Sequence, residues 1–289
     1  MTIALIDGDI VAHRAAAGQQ KTVIWEAGEE PMIIANVAAS REAAFQTIEA
    51  WMLLAKCNQA IVTFTGTHNF RKRVLPTYKA HRKGAKPFAF ADTVKAVSDR
   101  WATRRVDGLE ADDLMGIMAT SDKYRDAVVV TIDKDLRGVP GRHLNPIRDQ
   151  APVVVTEAEA DYTWLTQVLT GDATDGYSGL PKCGPVKAAK LLHGKASVDA
   201  MWRAIVGAYK VGGLTETDAL AMARVARILR REDYDKTTKE ILLWHPTTPI
   251  RIPLLDSCGE PRPSTSANAP VLATQSSGPT STPDSPSSH

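Results

Sequence analysis

Short apolar runs alternate with stretches of helical spacing through the first half of the chain. Ile3, Ala4, Leu5 and Ile6 predict a buried strand over 2–6. Residues 36–56 place Ala43, Ile48, Trp51, Met52 and Leu54 on one apolar side of a helix. A second strand is predicted over 60–64, and helices over 89–102 and 110–123, the latter carrying Leu114, Ile117 and Met118. Val128, Val129, Val130, Thr131 and Ile132 form the clearest strand. Such alternation predicts an α/β fold, a mostly parallel sheet with helices on both faces.

The pattern changes after residues 152–155. Residues 156–169, 185–193, 197–210 and 216–231 all have helical spacing. From about Asp256 the composition falls to Ser, Thr, Pro, Ala and Gly, so 256–289 is expected to be a disordered tail. The expected division is an α/β unit over 1–169, a helical region over 170–255, and that tail. The three cysteines, Cys57, Cys183 and Cys258, form no Cys-x-x-Cys pair, which argues against a zinc ribbon and fits a reducing compartment. The N-terminal apolar run is too short for a signal peptide, and no stretch reaches membrane-spanning length. The expected location is the cytoplasm, with no membrane partner.

Acidic residues fall where strands end. Asp7 and Asp9 follow the first strand, and Asp133 and Asp135 follow the valine strand. In a parallel sheet both pairs emerge at the carboxyl edge, where ligands bind. Glu110, Asp112 and Asp113 open a helix, and Asp172 and Asp175 share a helix-end turn. Single pairs of this kind are often turn or helix caps. Nine carboxylates on one rim, however, would repel by several kcal/mol per close pair, about 4 kcal/mol at 4 Å. Divalent cations are the natural neutraliser. Mg²⁺ prefers oxygen ligands, and two ions about 4 Å apart stabilise both oxygens of a phosphodiester displacement. Asp172-Ala-Thr-Asp175-Gly176 lacks the spacing of a calcium-binding EF-hand loop.

Charge is segregated. The net charge is +2, but the window 70–105 holds eleven basic residues and two acids, leaving −7 for the rest. Arg71, Lys72, Arg73, Tyr78, Lys79, Arg82 and Lys83 interleave cations with an aromatic ring. Lys79, Arg82 and Lys83 are expected on one side of a helix, gripping backbone phosphate, with Tyr78 stacking on a base. The alternative is a solvated charged helix. Gly179-Leu-Pro-Lys182-Cys-Gly184-Pro-Val-Lys187-Ala-Ala-Lys190 is a glycine-bounded turn entering a helix. Its backbone amides and helix N-terminus can receive phosphate, with Lys187 and Lys190 extending the grip. An ordinary helix–turn–helix connection is the bland reading.

The chain resembles the 5′ nuclease family of flap endonucleases, phage 5′–3′ exonucleases and polymerase-associated 5′ nucleases over roughly residues 2–195. The motifs are Asp7-Gly-Asp9, Phe70-Arg-Lys…Tyr78-Lys79-Ala-His-Arg82, Glu110-Ala-Asp-Asp113, Asp133-Lys-Asp135-Leu136, and Gly171-Asp-Ala-Thr-Asp175-Gly176 with the following hairpin. The compact form is most similar to exonucleases of short-tailed phages. The resemblance implies a PIN-like domain, a helical arch at about 70–105, and a helix–three-turn–helix element. It implies a first metal on Asp7, Glu110, Asp112 and Asp113, and a second among Asp133, Asp135, Asp172 and Asp175, as Mg²⁺ or Mn²⁺. Asp9 is a further candidate ligand. It implies Lys79 and Arg82 at the scissile phosphate, and a duplex-binding hairpin that carries K⁺ on its carbonyls. The implied partner is double-stranded DNA with a 5′ end, nick or flap, extending to RNA–DNA hybrids. Two departures stand out. Thr65 occupies a position where many members carry Asp, and Lys182 one where they carry Gly.

Two other readings stay open at this level. Asp7-Gly-Asp9-Ile-Val, Thr131 and Gly171-Asp-Ala-Thr-Asp175 fit the motifs of a haloacid-dehalogenase-type phosphohydrolase, provided a strand precedes Gly171. A DNA-binding protein without catalysis would use the basic window alone.

Overall fold

The computed structural model describes residues 2–25, 30–82, 84–255 and 259–261. The chain begins with β1 (Ile3–Asp7), α1 (Gly8–Gly18), β2 (Gln20–Val23), β3 (Met32–Ala35), α2 (Val37–Leu54) and β4 (Gln59–Thr65). It continues through α3 (Arg71–Val74), α4 (Phe90–Arg100), β5 (Ala102–Val106), α5 (Ala111–Ala119), β6 (Val128–Val130), β7 (Gly141–Leu144) and β8 (Val153–Val155). Helices α6 (Glu157–Thr170), α7 (Pro185–Leu192), α8 (Val198–Val211) and α9 (Glu216–Ala226) follow. A small meander closes it: β9 (Tyr234–Asp235), β10 (Glu240–Leu243) and β11 (Ile250–Pro253).

The main sheet has strand order β5-β4-β1-β6-β7-β8. All neighbours are parallel except β7 and β8. Strand β1 is central because Ala4, Leu5 and Ile6 are apolar on both faces, as a parallel strand covered twice requires. One face packs Ile6, Val62 and Val130 against α1, α2 and α4. The other packs Leu5, Ile61 and Val129 against Met115 and Met118 of α5. Asp7 and the segment after Val130 therefore leave the sheet side by side, in register Ile6↔Val130.

A separate apolar cluster joins Trp164, Leu165, Val168 and Leu169 of α6 to Leu192, Trp202, Ile205, Tyr209 and Ala223. Tyr78 from the basic window is buried in the same cluster. Residues 70–105 differ from the expected arch. Only the four residues of α3 are helical before the turns at 76–81, and α4 packs Val94 and Val97 into the core. Lys79 and Arg82 therefore do not share a helix face, and Lys83 lies outside the described residues. Two Pro residues, Pro76 and Pro87, bracket this non-helical stretch, and proline disfavours helix at the residue before it. The expected tail also lies outside the described residues, except 259–261, where Pro261 bridges Leu255. Among the described residues no helix is long and apolar enough to cross a membrane.

Candidate active site

The carboxyl ends of β1, β4 and β6 open into a cavity of about 550 Å³. Its wall includes seven of the nine predicted acids: Asp7, Asp9, Glu110, Asp112, Asp133, Asp135 and Asp175. Asp7 ends β1 and caps α1, its Oδ1 accepting from the Ile10 amide at 3.1 Å. Asp9, in the first turn of α1, reaches across to the Thr65 amide at 2.8 Å. Glu110 is the N-cap of α5, with Asp113 closing a reciprocal capping box. Asp133 accepts from the Asp135 amide at 2.8 Å, and Asp135 accepts from Gln167 Nε2 at 2.6 Å. Asp172 folds its own turn, accepting from the Thr174 amide at 2.7 Å, while Lys134 Nζ stands 3.7 Å away.

The electrostatics are those of crowded anions. Burial, then repulsion from Asp9 and Asp133, pushes Asp7 up to about 7. Burial, then Asp133, pushes Asp135 to about 7 as well. Burial raises Asp112 too, reinforced by Asp7, Asp133 and Glu110. Oδ1 of Asp112 is buried with no hydrogen-bond partner among the described residues. A buried carboxylate oxygen without a partner costs roughly 1–3 kcal/mol, so it stands where a further positive group belongs. Glu110 behaves differently. Burial alone would raise it, but Arg71 and Lys79 outweigh that and hold it below the ordinary range.

The donor set is all oxygen and aimed into one cavity, which fits hard divalent cations rather than zinc or copper. Among the described residues no three of these carboxylates already form a compact ligand sphere.

Several predicted site residues sit elsewhere than the sequence suggested. Asp113 is fully buried and bonded through both oxygens to Arg71, so it caps and braces rather than facing the cavity. Arg71 is 2% exposed, and Tyr78 1%. Neither can meet DNA on a surface. The Tyr78 hydroxyl instead lies 2.9 Å from Glu110 Oε2 and 2.8 Å from Asp175 Oδ2. Gly179 is buried against Gly171, where any Cβ would strike the Gly171 amide, so it serves close backbone approach and not phosphate. Asp172 is absent from the cavity wall. Lys79 Nζ donates to Glu110 at 2.6 Å and Arg82 Nη2 to Asp175 at 2.7 Å. Lys72, Arg73, Lys182, Gly184, Lys187 and Lys190 are exposed, and Gly184 caps α7 into open space.

Thr65 is explained by its neighbours. Its hydroxyl accepts from the Ala111 amide at 3.1 Å, and its own amide binds Asp9. Sequence reasoning missed His13 and Arg14, which line the cavity from α1. Their spacing from Ile10 was the available signal, but α1 itself was not foreseen. A strand before Gly171, which the dehalogenase-like reading needed, is not there: α6 runs to Thr170.

A parallel sheet whose strand ends gather carboxylates beside lysine and arginine is an arrangement suited to metal-assisted hydrolysis of phosphate esters. Comparison with known proteins narrows the class. The chain belongs to the 5′–3′ exonuclease family: the model of its N-terminal, resolvase-like domain matches residues 2–163. The exodeoxyribonuclease of Enterobacteria phage T3 is 28% identical over 282 residues, spanning 84% of this chain and 93% of that protein. The exonuclease of Escherichia phage T7 is 28% identical over 281 residues with the same coverage. A solved phage T5 5′-exonuclease with bound zinc shares the fold at TM-score 0.56 and 14% identity, over 78% of this chain and 93% of that one. A phage T5 flap endonuclease in a product-like complex with DNA and metal ions gives TM-score 0.51 and 14% identity, over 77% and 99%.

Proposed function

We propose that this chain is a divalent-metal-dependent 5′ nuclease that hydrolyses DNA from a 5′ end, nick or flap. The carrying observation is the orphaned Oδ1 of Asp112 among Asp7, Asp133 and Glu110. Asp7, Glu110 and Asp112 would hold one Mg²⁺ or Mn²⁺. Asp133, Asp135 and Asp175 would serve a second, with Asp9 on the cavity wall and Asp172 off it as further candidate ligands. Such ions supply Lewis acidity and lower the pKa of bound water. Asp113 drops out of the ligand set, because both of its oxygens belong to Arg71.

The protein's own residues position the strand. Lys79 and Arg82 now neutralise Glu110 and Asp175. Once those carboxylates are neutralised otherwise, the ammonium and guanidinium are free to hold the scissile phosphate and the charge that develops on it. Lys182, Lys187, Lys190 and the amides opening α7 hold duplex backbone, with K⁺ on the adjoining carbonyls. The same reading extends to RNA–DNA hybrids and to work in a host cell's cytoplasm during phage replication or host DNA degradation.

The test is one gel: 3′-labelled blunt, nicked, 5′-flap and RNA–DNA hybrid duplexes, with and without Mg²⁺. Cleavage from the 5′ end that stops in EDTA is expected. Asp133→Ala and Asp112→Ala should lose cleavage and keep DNA binding. Metal-independent products, or full turnover in both variants, would refute the reading.

A further inference from the structure

The cavity's cations fall into two groups. Arg71, Lys79 and Arg82 each hold carboxylates. Arg14 and Lys86 also line the cavity, yet neither has a carboxylate partner among the described residues. Ile10, His13 and Arg14 share the cavity face of α1, at positions i, i+3 and i+4. Arg14 lies seven residues beyond Asp7, about 10 Å along the helix axis at 1.5 Å per residue. Lys86 stands on the opposing stretch, its Nζ 4.1 Å from the Phe90 ring centroid. That stretch is tied to the start of β2, just past α1, by the Phe88 amide, which donates to Gln20 Oε1 at 2.8 Å. Besides the acids at the strand termini, the cavity wall thus carries two cations without a carboxylate partner among the described residues, Arg14 on α1 and Lys86.

We infer that Arg14 and Lys86 form a second phosphate subsite, which takes the 5′-terminal phosphate of the strand being cut. The inference rests on the nuclease reading above. On that reading the acids hold the bond being cut, and the next phosphate toward the 5′ end meets whatever other cations line the same cavity. For removal of the first nucleotide that group is the terminal phosphate monoester. Arginine suits it, because a planar guanidinium is weakly hydrated and binds phosphate through two parallel hydrogen bonds. His13 adds a third polar group to the same wall.

The experiment compares first-cleavage kinetics on blunt duplexes that differ only in a 5′-phosphate or 5′-hydroxyl, with Mg²⁺. Wild type should show a KM about tenfold lower for the phosphorylated end, the scale of one charge-assisted hydrogen bond. In Arg14→Gln and Lys86→Gln that ratio should fall toward one, and Arg14→Lys should restore part of it. A wild-type ratio of one, or an unchanged ratio in Arg14→Gln, overturns the subsite. A 5′-flap with a methylphosphonate just 5′ of the cut bond tests internal phosphate. Sensitivity there without sensitivity to the terminal phosphate also overturns it. Absence of Mg²⁺-dependent cleavage on every substrate would instead defeat the nuclease reading.

Discussion

Arg71 and Asp113 face each other inside the protein, with Nη1 and Nη2 each 2.7 Å from a carboxylate oxygen. The same guanidinium donates to the carbonyls of Val225 and Arg227, and Asp113 also accepts from the Leu229 amide. One ion pair therefore ties the root of the basic window to α5 and to the end of α9.

Removing one partner strands a buried charge, a loss of about 3–5 kcal/mol. Arg71→Met should lower the unfolding free energy from urea titration by that amount, and Arg71→Met with Asp113→Leu should recover part of it. Unchanged stability with weakened DNA affinity would return Arg71 to the DNA surface.

Asp112→Asn removes a crowded negative charge. In EDTA its melting temperature should rise by a few degrees. The stabilisation expected of wild type in Mn²⁺, about 2.7 kcal/mol when the ion is at 100 times its Kd, should shrink. Scanning calorimetry with and without Mn²⁺ decides it. A variant as strongly stabilised by Mn²⁺ as wild type would remove Asp112 from the ligand set.

Lys182 occupies the left-handed region with φ 57°, which accounts for the glycine expected there. Lys182→Gly should be neutral to stabilising by up to about 1 kcal/mol, since relief of strain is partly offset by greater chain entropy when unfolded. Duplex affinity should fall several-fold, with a shallower salt dependence. Equal affinity in a salt titration would show that the lysine touches no phosphate.

Burial holds His143 down at about 4, against 6.5 when free, while its Nε2 pairs with the Val139 carbonyl at 2.8 Å. The unfolded chain takes up this proton first, so its contribution to stability is complete above pH 6.5 and is lost as pH falls toward 4. The loss is at most about 3 kcal/mol. Asp7 and Asp135, both raised to about 7, act oppositely: the folded state binds their protons more tightly, so acidification strengthens the metal-free fold. Urea titrations at pH 7 and 4.5 should show His143→Gln losing less stability on acidification than wild type. Parallel curves would contradict a neutral buried imidazole.

Periodicity made β1, α2, β4, α4, α5, β6 and α6 through α9 legible in the sequence, because each carries a clear apolar stripe or run. Helix α1 was hidden behind Asp7 at its cap and Asp9 in its first turn, and its alanine-rich face gave little contrast. Strands β2, β3 and β9 through β11 are two to four residues long, too short for any period to register. Among site residues, the strand-terminal acids could be read because sheet topology alone fixes where they emerge. Asp113, Arg71 and Tyr78 could not, because a charge looks the same in sequence whether water or another charge receives it. Only the packing of α9 and α5 around Arg71 shows which.

Tyr78 leaves the basic window to lie among Trp164, Leu169 and Tyr209, while its hydroxyl meets acids from both halves of the chain. A single ring thus makes the helical half's interior depend on the catalytic half's loop. Neither half is a portable module: cut apart, each would expose apolar surface that the other now covers, and the intact chain should melt as one unit.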